Sequence, residues 1–376
     1  MDNKTAMKFT VARDTLVELL ANVVGAVEKK HTTKILENVL LSVENERLRL
    51  VGTDLEIELS ASINIQVDRE GAVTAPARKL LDITKALPSD SFILVEQDEN
   101  SSRLLIKGGR SRFELATLPA EDFPELDEIP LSSELVLMES QFKRLLDKTA
   151  FCMANQDVRY YLNGLLLDIA TGVVSSVSTD GHRLALADCR DESIAIAERV
   201  GIIVPRKGAL ELSRILESSS DVSVRVQLSE NHIRVEKDNV RFTSKLIDGK
   251  YPDYKAAVPA NTTLKIQLDR MVFRDTLARV AILSNEKFRG IRLRLTDGLL
   301  TLMSNNPEQE SAEEEIDVSY SGEVFEIGFN VNYLLEAVNH LDGETVNFNF
   351  TSSAASALLS SDDDDGVRYV VMPVRL

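Results

Sequence analysis

The sequence has no tryptophan, and aromatic residues make up only 5% of it. Its two cysteines, Cys152 and Cys189, share no CxxC spacing, so no disulfide framework is expected and a reducing compartment is favoured. No apolar run reaches the roughly 18 residues of a membrane span. The N-terminal stretch MDNKTAMKFTV also lacks the apolar core of a signal peptide. These absences predict a cytoplasmic protein rather than a secreted or membrane-spanning one.

Motifs for nucleophilic catalysis are weak. Ser140 and Lys143 match an SxxK pattern, but no SDN or KTG motif accompanies them. Ser178, Asp180 and His182 alternate as they would on one strand face, and residues two apart on one face do not reach triad geometry. A hydrolase that uses His182 is therefore a minor alternative, and we expect a protein that is not an enzyme.

Signals for metals and nucleotides are also missing. The four histidines have no metal-ligand spacing, and neither a GxxxxGK[ST] nor a GxGxxG loop is present. The acidic run Asp362–Asp365 could hold a hard cation, but a solvated loop before the last strand is favoured. We therefore expect no metal site and no cofactor.

A threefold repeat is the main feature of the chain. The stretch 205–218 has the apolar spacing of one helix face, carried by Ala209, Leu212, Ile215 and Leu216. Similar stretches occur at 76–88 and 330–342, and alignment of their last leucines gives separations of 129 and 125 residues. A repeat at this distance predicts three copies of one structural unit.

Three further markers recur with nearly the same period. An amphipathic helix opens each third at Leu16, Phe142 and Phe273; strand-like runs end at Thr53, Thr179 and Ser304; and each third closes on Arg112-Phe113, Arg241-Phe242 or Arg368-Tyr369. Further stretches with strand periodicity are 57–67, 221–228 and 324–331. The sequence thus predicts an α+β fold of three similar domains, at 1–132, 133–259 and 260–376.

The charge of the chain bears on whether its partner is a nucleic acid. The chain has 43 basic and 60 acidic residues and a net charge of −17, which by itself argues against a nucleic-acid partner. The basic residues recur, however, on equivalent helices: Lys143, Arg144, Lys148, Arg206, Lys207, Arg214, Arg270, Arg274 and Arg279. If the repeats form an arc, these helices line one side and make it locally positive. The copy at 330–342 departs, because it has no lysine or arginine.

Several long strings resemble one family, the bacterial β sliding clamps, which are the processivity subunits of DNA polymerase III. The strings are QDVRYYLNG (156–164), STDGHRLA (178–185), VPRKG (204–208), FTSKLIDGKYPDY (242–254), ILSNEKFRG (282–290), NNPEQE (305–310) and YVVMPVRL (369–376). The resemblance extends over nearly the whole chain from Met7. It implies a head-to-tail dimeric ring of the DNA-clamp fold, with three domains per subunit, helices inside and sheets outside.

The resemblance also implies the sites and partners. It places sequence-independent contacts with double-stranded DNA at Lys29, Lys30, Gln156, Tyr160, Tyr161, Arg206 and Lys207. It places the homodimer interface at Lys79, Arg110, Arg112, Phe113 and Leu115 of one subunit and Ile282, Leu283, Glu308, Glu310 and Glu314 of the other. It places a pocket for short linear motifs of the replicative polymerase, the clamp loader and repair proteins at Arg159, Leu162, Thr179, Gly181, His182, Arg183, Leu184, Pro252, Asn330, Tyr333, Val370, Met372, Pro373, Val374, Arg375 and Leu376.

Some positions depart from the family pattern. Lys30 and Lys34 stand where arginine and then proline are frequent, Ala256 and Ala257 stand where bulkier or basic groups are expected, and Val374 replaces a frequent methionine. These departures affect the predicted pocket more than the family resemblance. A monomeric repeat scaffold that binds proteins alone is the remaining alternative.

Overall fold

The computed structural model describes residues 6–29, 32–97, 102–126, 129–130 and 132–375. Contacts divide the chain into two compact units, which we describe separately. The first unit comprises Met1–Glu139 and Arg214–Leu246, and the second comprises Ser140–Ser213 and Ile247–Leu376. Among the described residues, no helix has the length and apolar character that crossing a membrane requires.

The elements follow one order in each third of the chain, apart from the short strand β5 (Val67–Arg69) that is added in the first third. The first third contains β1 (Lys8–Ala12), α1 (Arg13–Val23), β2 (Asn38–Glu44), β3 (Arg47–Thr53), β4 (Ile57–Asn64), β5 (Val67–Arg69), β6 (Gly71–Pro76), α2 (Ala77–Ala86), β7 (Phe92–Gln97), β8 (Arg103–Gly108) and β9 (Ser111–Ala116). The second contains β10 (Ser133–Met138), α3 (Glu139–Thr149), β11 (Gly164–Ala170), β12 (Val173–Thr179), β13 (Arg183–Arg190), β14 (Val200–Pro205), α4 (Arg206–Ile215), β15 (Ser223–Leu228), β16 (His232–Lys237) and β17 (Val240–Lys245), and the short α5 (Tyr254–Ala257) follows. The last contains β18 (Leu264–Asp269), α6 (Arg270–Ala281), β19 (Gly290–Thr296), β20 (Leu299–Asn305), β21 (Ser311–Asp317), β22 (Phe325–Asn330), α7 (Val331–His340), β23 (Thr345–Phe350), β24 (Ala357–Ser360) and β25 (Val367–Val371).

This order confirms the predicted threefold α+β repeat. All six predicted helices form, and the apolar positions Ala209, Leu212, Ile215 and Leu216 are all buried. The Arg-aromatic pairs lie in β9, β17 and β25, which we call the closing strands. Helical period 3.6 and strand period 2 are local properties, so the sequence alone placed these elements.

Two antiparallel sheets make up the first unit. One has the order β5-β1-β7-β8-β9, and the other has the order β10-β15-β16-β17-β4-β3-β2-β6. Helix α1 packs against α2 and against strands β3 and β4. Its side chains Leu16, Leu19 and Leu20 are fully buried there, which fixes this helix to the sheet through apolar burial.

The second unit is also built on two antiparallel sheets, with the orders β14-β11-β12-β13-β25-β24-β23-β18 and β21-β20-β19-β22. Helix α6 packs against α7 and against strands β20 and β21. A cluster of phenylalanines fills the core here, with Phe348 4.4 Å from Phe350 and 5.7 Å from Phe273 between ring centroids.

The eight-stranded sheets join consecutive thirds by the same pairing. In the first unit the closing strand β17 pairs with β4, with Phe242 opposite Leu59. In the second unit the closing strand β25 pairs with β13, with Tyr369 opposite Ala185. The closing strand β9 of the first third and strand β21 of the last third are each the outer strand of a smaller sheet.

One sequence interpretation was wrong in part: Asp362, Asp363 and Asp365 are exposed before β25 as expected, but Asp364 is not. Asp364, expected in a solvated loop, is 2% exposed, and its carboxylate accepts hydrogen bonds from Lys148 Nζ at 2.6 Å and from Arg144 Nη2 at 2.7 Å. Lys148 is also buried, and it donates to the main-chain oxygen of His340 at 2.7 Å. Lys148 therefore ties α3 to the last third of the chain, and it cannot lie on an exposed positive surface.

We expect Asp364→Asn to lower the free energy of unfolding by about 3 kcal/mol, because it leaves the buried Lys148 ammonium without its closest counter-charge. Urea denaturation of the full chain at neutral pH measures this loss. Asp365→Asn is the matched control, since Asp365 is exposed and should change stability by less than about 0.5 kcal/mol. Equal losses in the two variants would contradict the role given to Asp364.

The same contact has a pH dependence. Burial alone would raise the pKa of Asp364, but hydrogen bonds from Lys148, the Asp342 amide and Arg144 outweigh it and hold the pKa below its ordinary value. Such a group stabilises the fold above its unfolded pKa of about 3.9 and loses this contribution as pH falls through the folded pKa. The stability gap between the native chain and Asp364→Asn should be constant from pH 7 to about pH 5 and should narrow below about pH 4.

Candidate interaction sites

The residues of the weak catalytic motifs do not assemble an active site. Ser178 is buried and donates to the main-chain oxygen of Thr149, while the Asp180 carboxylate accepts the amides of His182 and Arg183 at 2.9 and 3.1 Å. Lys143 donates to the main-chain oxygen of Ser213 at 2.8 Å. No group of three or more His, Cys, Asp or Glu side chains that could hold a metal ion occurs in the described part of the chain.

The residues predicted to form a peptide pocket lie in the second unit, around the β13–β25 pairing. Leu184 faces Val370 across this ladder, and both belong to a buried apolar cluster with Leu166, Val177 and Ile203. Tyr161, Tyr251 and Val258 are partly buried against the same cluster. Several of the predicted pocket residues thus pack on one buried apolar cluster, which we call the apolar floor.

The chain end completes the site. Strand β25 stops at Val371, and Pro373 has no amide hydrogen with which to continue a ladder. The Met372 amide donates to the oxygen of His182 at 2.9 Å, and the Val374 amide donates to the oxygen of Gly328 at 2.9 Å. The tail is therefore attached on both sides, while the side chain of Met372 stays 47% exposed beside the cluster.

Arg183 is the charged centre of this site. Its guanidinium contacts the carboxylates of Asp180 and Glu336, donates to the main-chain oxygen of Phe151 at 3.1 Å, and lies 4.6 Å from the ring centroid of Tyr333. Tyr333 in turn stacks on His182, with ring centroids 6.4 Å apart. These contacts hold His182 and Tyr333 side by side at the edge of the apolar floor.

Arg159 lies against Gly181, the residue that precedes His182 in the same turn. The Arg159 guanidinium forms two hydrogen bonds to Asp157, of 3.0 and 2.9 Å, and one of 3.2 Å to the oxygen of Asp180. Gly181 has a φ of +89°, and a Cβ at this position would lie 2.9 Å from Arg159 Nη1. Glycine thus permits both the turn and the close approach of the guanidinium. The ion pair lowers the pKa of Asp157 to about 2.

The other predicted pocket residues differ in exposure. Leu162 is buried, Pro252 is exposed beside Tyr251, and Asn330 accepts the Asn332 amide at the start of α7. Thr179 and Pro373 are half-buried and Arg375 is exposed, while Leu376 lies outside the described residues. Sequence reasoning missed the floor residues Leu166, Val177, Leu186, Ile203, Tyr251 and Tyr254. Strands β11 and β12 are buried almost throughout, so no alternation in their sequence distinguishes the face that carries Leu166 and Val177.

The residues predicted to contact DNA belong to both units: five lie in the second unit, and Lys29 lies in the first. Gln156, Tyr160 and Tyr161 belong to one segment of the second unit, and the rings of the two tyrosines meet edge to face at 5.8 Å. Arg206 and Lys207 begin α4 and are half-buried; Arg206 donates to the oxygen of Met153 at 3.0 Å. Lys29 is exposed in the first unit, and Lys30 lies outside the described residues.

Many of the other helix cations have partners inside the protein. Lys143 and Arg274 form ion pairs with Asp147 and Asp275, and Arg279 forms one with Glu314. Arg270 donates to the oxygen of Gly343 at 2.6 Å. The expected positive helix faces of α3 and α6 are therefore largely neutralised by neighbouring groups.

The predicted interface residues lie on or near two strands, β9 and β21, that are the outer strands of their sheets in the described structure. Arg112, Phe113 and Leu115 are on β9, with Arg110 in the preceding turn and Lys79 exposed on α2. Glu314 is on β21, Glu308 and Glu310 precede it, and Ile282 and Leu283 follow α6. Phe113 is only half-buried and Ile282 is 74% exposed, whereas the matching aromatics Phe242 and Tyr369 are 0% and 1% exposed.

Family models for the DNA polymerase III beta subunit match three consecutive parts of the chain. The N-terminal domain model matches residues 7–127, the central domain model matches 136–253, and the C-terminal domain model matches 255–375.

Full-length relatives agree with these matches. The beta sliding clamp of Pseudomonas aeruginosa is 49% identical over 98% of this chain and all of that protein, and that of Escherichia coli K12 is 44% identical over the same shares. A crystal structure of the P. aeruginosa DnaN sliding clamp bound to griselimycin superposes with a TM-score of 0.94 at 48% identity, covering 99% of this chain and all of the other. A Caulobacter crescentus beta sliding clamp gives a TM-score of 0.93 at 39% identity, with full coverage of both chains.

Three domain models in the expected order, full-length relatives and near-identical folds lead to one conclusion. The chain belongs to the DNA polymerase III beta subunit family, the bacterial β sliding clamps.

Proposed function

We propose that two copies of this chain close head to tail into a ring around duplex DNA, and that each copy holds partner proteins by a short motif in the pocket beside its C-terminal tail. The chain is a DNA sliding clamp that acts in polymerase processivity, as its family membership shows. The ring, the contact residues and the motif site are the finer parts of the proposal.

The main support for the proposal is a strand pairing that occurs twice within the chain and that a second copy would form once more. Two closing strands are paired inside the chain, β17 with β4 and β25 with β13, whereas β9 and β21 are outer strands of their sheets. Exposed strand edges are templates for pairing with another chain. Pairing β9 of one copy with β21 of another would make a nine-stranded sheet in the order β5-β1-β7-β8-β9-β21-β20-β19-β22, and its eight strands from β1 onward match both internal joints.

The two strand pairings within the chain also predict the register of the proposed pairing between β9 and β21. Thr53, Thr179 and Ser304 occupy equivalent repeat positions, and they face Glu58, Leu184 and Ala312. Transfer of the internal registers then places Phe113 opposite Glu313, and Arg112 opposite Glu314 of the partner copy. Charges of opposite sign directly across a ladder stabilise the pairing, and β21 carries Glu313, Glu314 and Glu315 in sequence.

Apolar contacts follow from the same equivalence. Phe151, just after α3, contacts Tyr369 edge to face with ring centroids 5.2 Å apart. The repeat places Ile282 at the position of Phe151 and Phe113 at that of Tyr369. Ile282 of one copy would then pack on Phe113 of the next, and this contact would cover the exposed Ile282 and the half-buried Phe113.

The size of a duplex favours two copies. Helices pack about 9 Å apart, so the six long helices of one chain would close a circle only about 17 Å across their axes. Twelve helices give about 34 Å, which leaves about 24 Å clear after a helix width of about 10 Å is subtracted. Contacts from lysine, arginine and tyrosine to phosphates carry no sequence information, so such a ring can slide.

The pocket fits a linear motif of the kind Gln-Leu-x-Leu-Phe. The apolar cluster can bury its leucine and phenylalanine side chains, each worth about 1.5–3 kcal/mol, and Arg159 can hold the glutamine. In the C. crescentus relative, polyethylene glycol is bound to a region described as the beta-motif tethering region. Ala256 and Ala257 are exposed and small, which makes one wall of this chain's pocket shallow.

The same proposal covers the domain boundaries and the location. We divide the chain at 132/133 and 259/260, a division supported by β10, which begins at Ser133, and β18, which begins at Leu264. A protein that acts on replicating DNA would be located in the bacterial cytoplasm.

Retention on DNA tests the ring. The clamp should stay on circular duplex DNA through a high-salt wash and leave when the circle is cut, because topology rather than affinity holds it. Phe113→Ala should raise the dimer dissociation constant at least 30-fold, about 2 kcal/mol, and abolish retention. Sedimentation and gel filtration on circular and linear DNA measure both effects.

Phe92→Ala is the matched control, because Phe92 lies on the same sheet, is 69% exposed and is away from the β9 edge. It should leave both the dimer and retention unchanged. A native chain that sediments as a monomer at micromolar concentration would refute the ring.

Removal of the tail tests the motif site. Deletion of Met372–Leu376 should abolish binding of a labelled Gln-Leu-x-Leu-Phe peptide, for which we expect a micromolar Kd, because the deletion removes one wall of the groove. Met372→Ser should weaken binding without affecting the fold, since this side chain is 47% exposed. Fluorescence anisotropy measures the affinity and sedimentation checks the dimer. Unchanged affinity in the truncated dimer would show that the site lies elsewhere.

A further inference from the structure

The segment 154–163 contains residues of two different candidate sites. Gln156, Tyr160 and Tyr161 are assigned to DNA, while Arg159 and Leu162 are assigned to the peptide pocket. Five residues of the two predicted sites thus lie within seven positions of this segment, which we call the Tyr160 segment. A change in its conformation would move residues of both predicted sites.

The Tyr160 segment is held by its own polar side chains. The Asp157 amide donates to Asn163 Oδ1 at 2.9 Å, and Asn163 Nδ2 donates back to the Asp157 oxygen at 2.9 Å. The Arg159 amide and guanidinium both donate to the Asp157 carboxylate. Gln156 has a φ of +58°, a left-handed conformation that a non-glycine residue rarely adopts. These bonds keep the segment in a shape that its backbone does not favour by itself.

Arg159 also connects the segment to the turn that carries the pocket residues. Its Nη2 donates to the Asp180 oxygen at 3.2 Å, and its Nη1 lies against Gly181. The next residues of that turn are His182 and Arg183, whose side chains meet Tyr333. Arg159 is therefore in contact with both the Tyr160 segment and the pocket.

The far side of the segment rests on the linker that follows β17. A Cβ on Gly249 would lie 3.3 Å from the Cβ of Tyr161 and 3.4 Å from Cε2 of Tyr160. Both tyrosines thus lie close to the linker backbone, three residues before Pro252 of the pocket. The Tyr160 segment is bounded by pocket elements on two sides.

We propose that peptide binding and DNA contact are positively coupled through Arg159. Nη1 faces the pocket turn and forms no hydrogen bond in the described structure, so a glutamine oxygen of the motif can accept from it without breaking the Asp157 or Asp180 bonds. A third anchor on the guanidinium fixes the segment more firmly and holds Tyr160, Tyr161 and Gln156 ready for phosphates. Coupling between two sites is reciprocal, so duplex DNA strengthens peptide binding by the same factor.

This inference rests on the proposed peptide and DNA sites. A coupling measurement distinguishes binding at each site from coupling between the two sites. Anisotropy titration of a labelled Gln-Leu-x-Leu-Phe peptide into the full-length dimer is done with and without a saturating short duplex at low salt. We expect the duplex to lower the peptide Kd about fivefold, and the peptide to lower the duplex Kd equally.

Arg159→Lys keeps the charge but loses the planar fork, so the coupling factor should fall to near one while both ligands still bind. Arg190→Lys is the matched control, because Arg190 is exposed at the end of β13 and belongs to neither site, and it should keep the full factor. A factor of one or less in the native protein, or an unchanged factor in Arg159→Lys, overturns the coupling. Failure of the peptide alone to bind the native protein overturns the proposed motif site and the coupling with it. Failure of the short duplex alone to bind overturns the coupling, whereas retention on circular DNA tests the ring separately.

Discussion

Hydrogen bonding at strand edges determines how the repeats of this chain are joined. Each closing strand presents main-chain donors and acceptors that need partners, and within the chain β17 and β25 find them on β4 and β13. The aromatic residue of each pair, Phe242 or Tyr369, is buried at the joint as a result. The first third has the same closing strand, with the same Arg-aromatic pair, but no preceding repeat to accept it. The proposed head-to-tail assembly would pair the outer strands β9 and β21 in the way that the chain already pairs its other closing strands.

The joint in the second unit explains the position of the pocket. Where β25 pairs with β13, the chain runs past the end of the strand and is attached through Met372 and Val374 to two different elements. The turn Thr179–Arg183 and helix α7 face the same point, and Arg183 links them through Glu336 and Tyr333. In the proposed pocket these contacts would hold both walls in place, so most of the ordering cost of binding would fall on the peptide.

The charge distribution reconciles an acidic protein with a DNA partner. Several cations that looked available in the sequence, among them Lys148, Lys143 and Arg279, neutralise nearby acids or cap main-chain oxygens. Acids are concentrated on strands such as β21, where they can serve an interface. The proposed ring would be held on DNA by topology, so it would not need many strong contacts with phosphates.

The sequence alone determined the repeat, the six long helices, the closing strands and the family. These depend on local periodicity and on strings of residues such as STDGHRLA, which are readable without a structure. Tertiary structure alone decided that Asp364 is buried against Lys148, that β17 pairs with β4, and that Arg159 bridges Asp157 and Asp180. Each of these joins residues that are distant in sequence or chooses one partner among several nearby charges. No period in the sequence records such a choice, because it is made by burial and by hydrogen-bond geometry once the chain has folded.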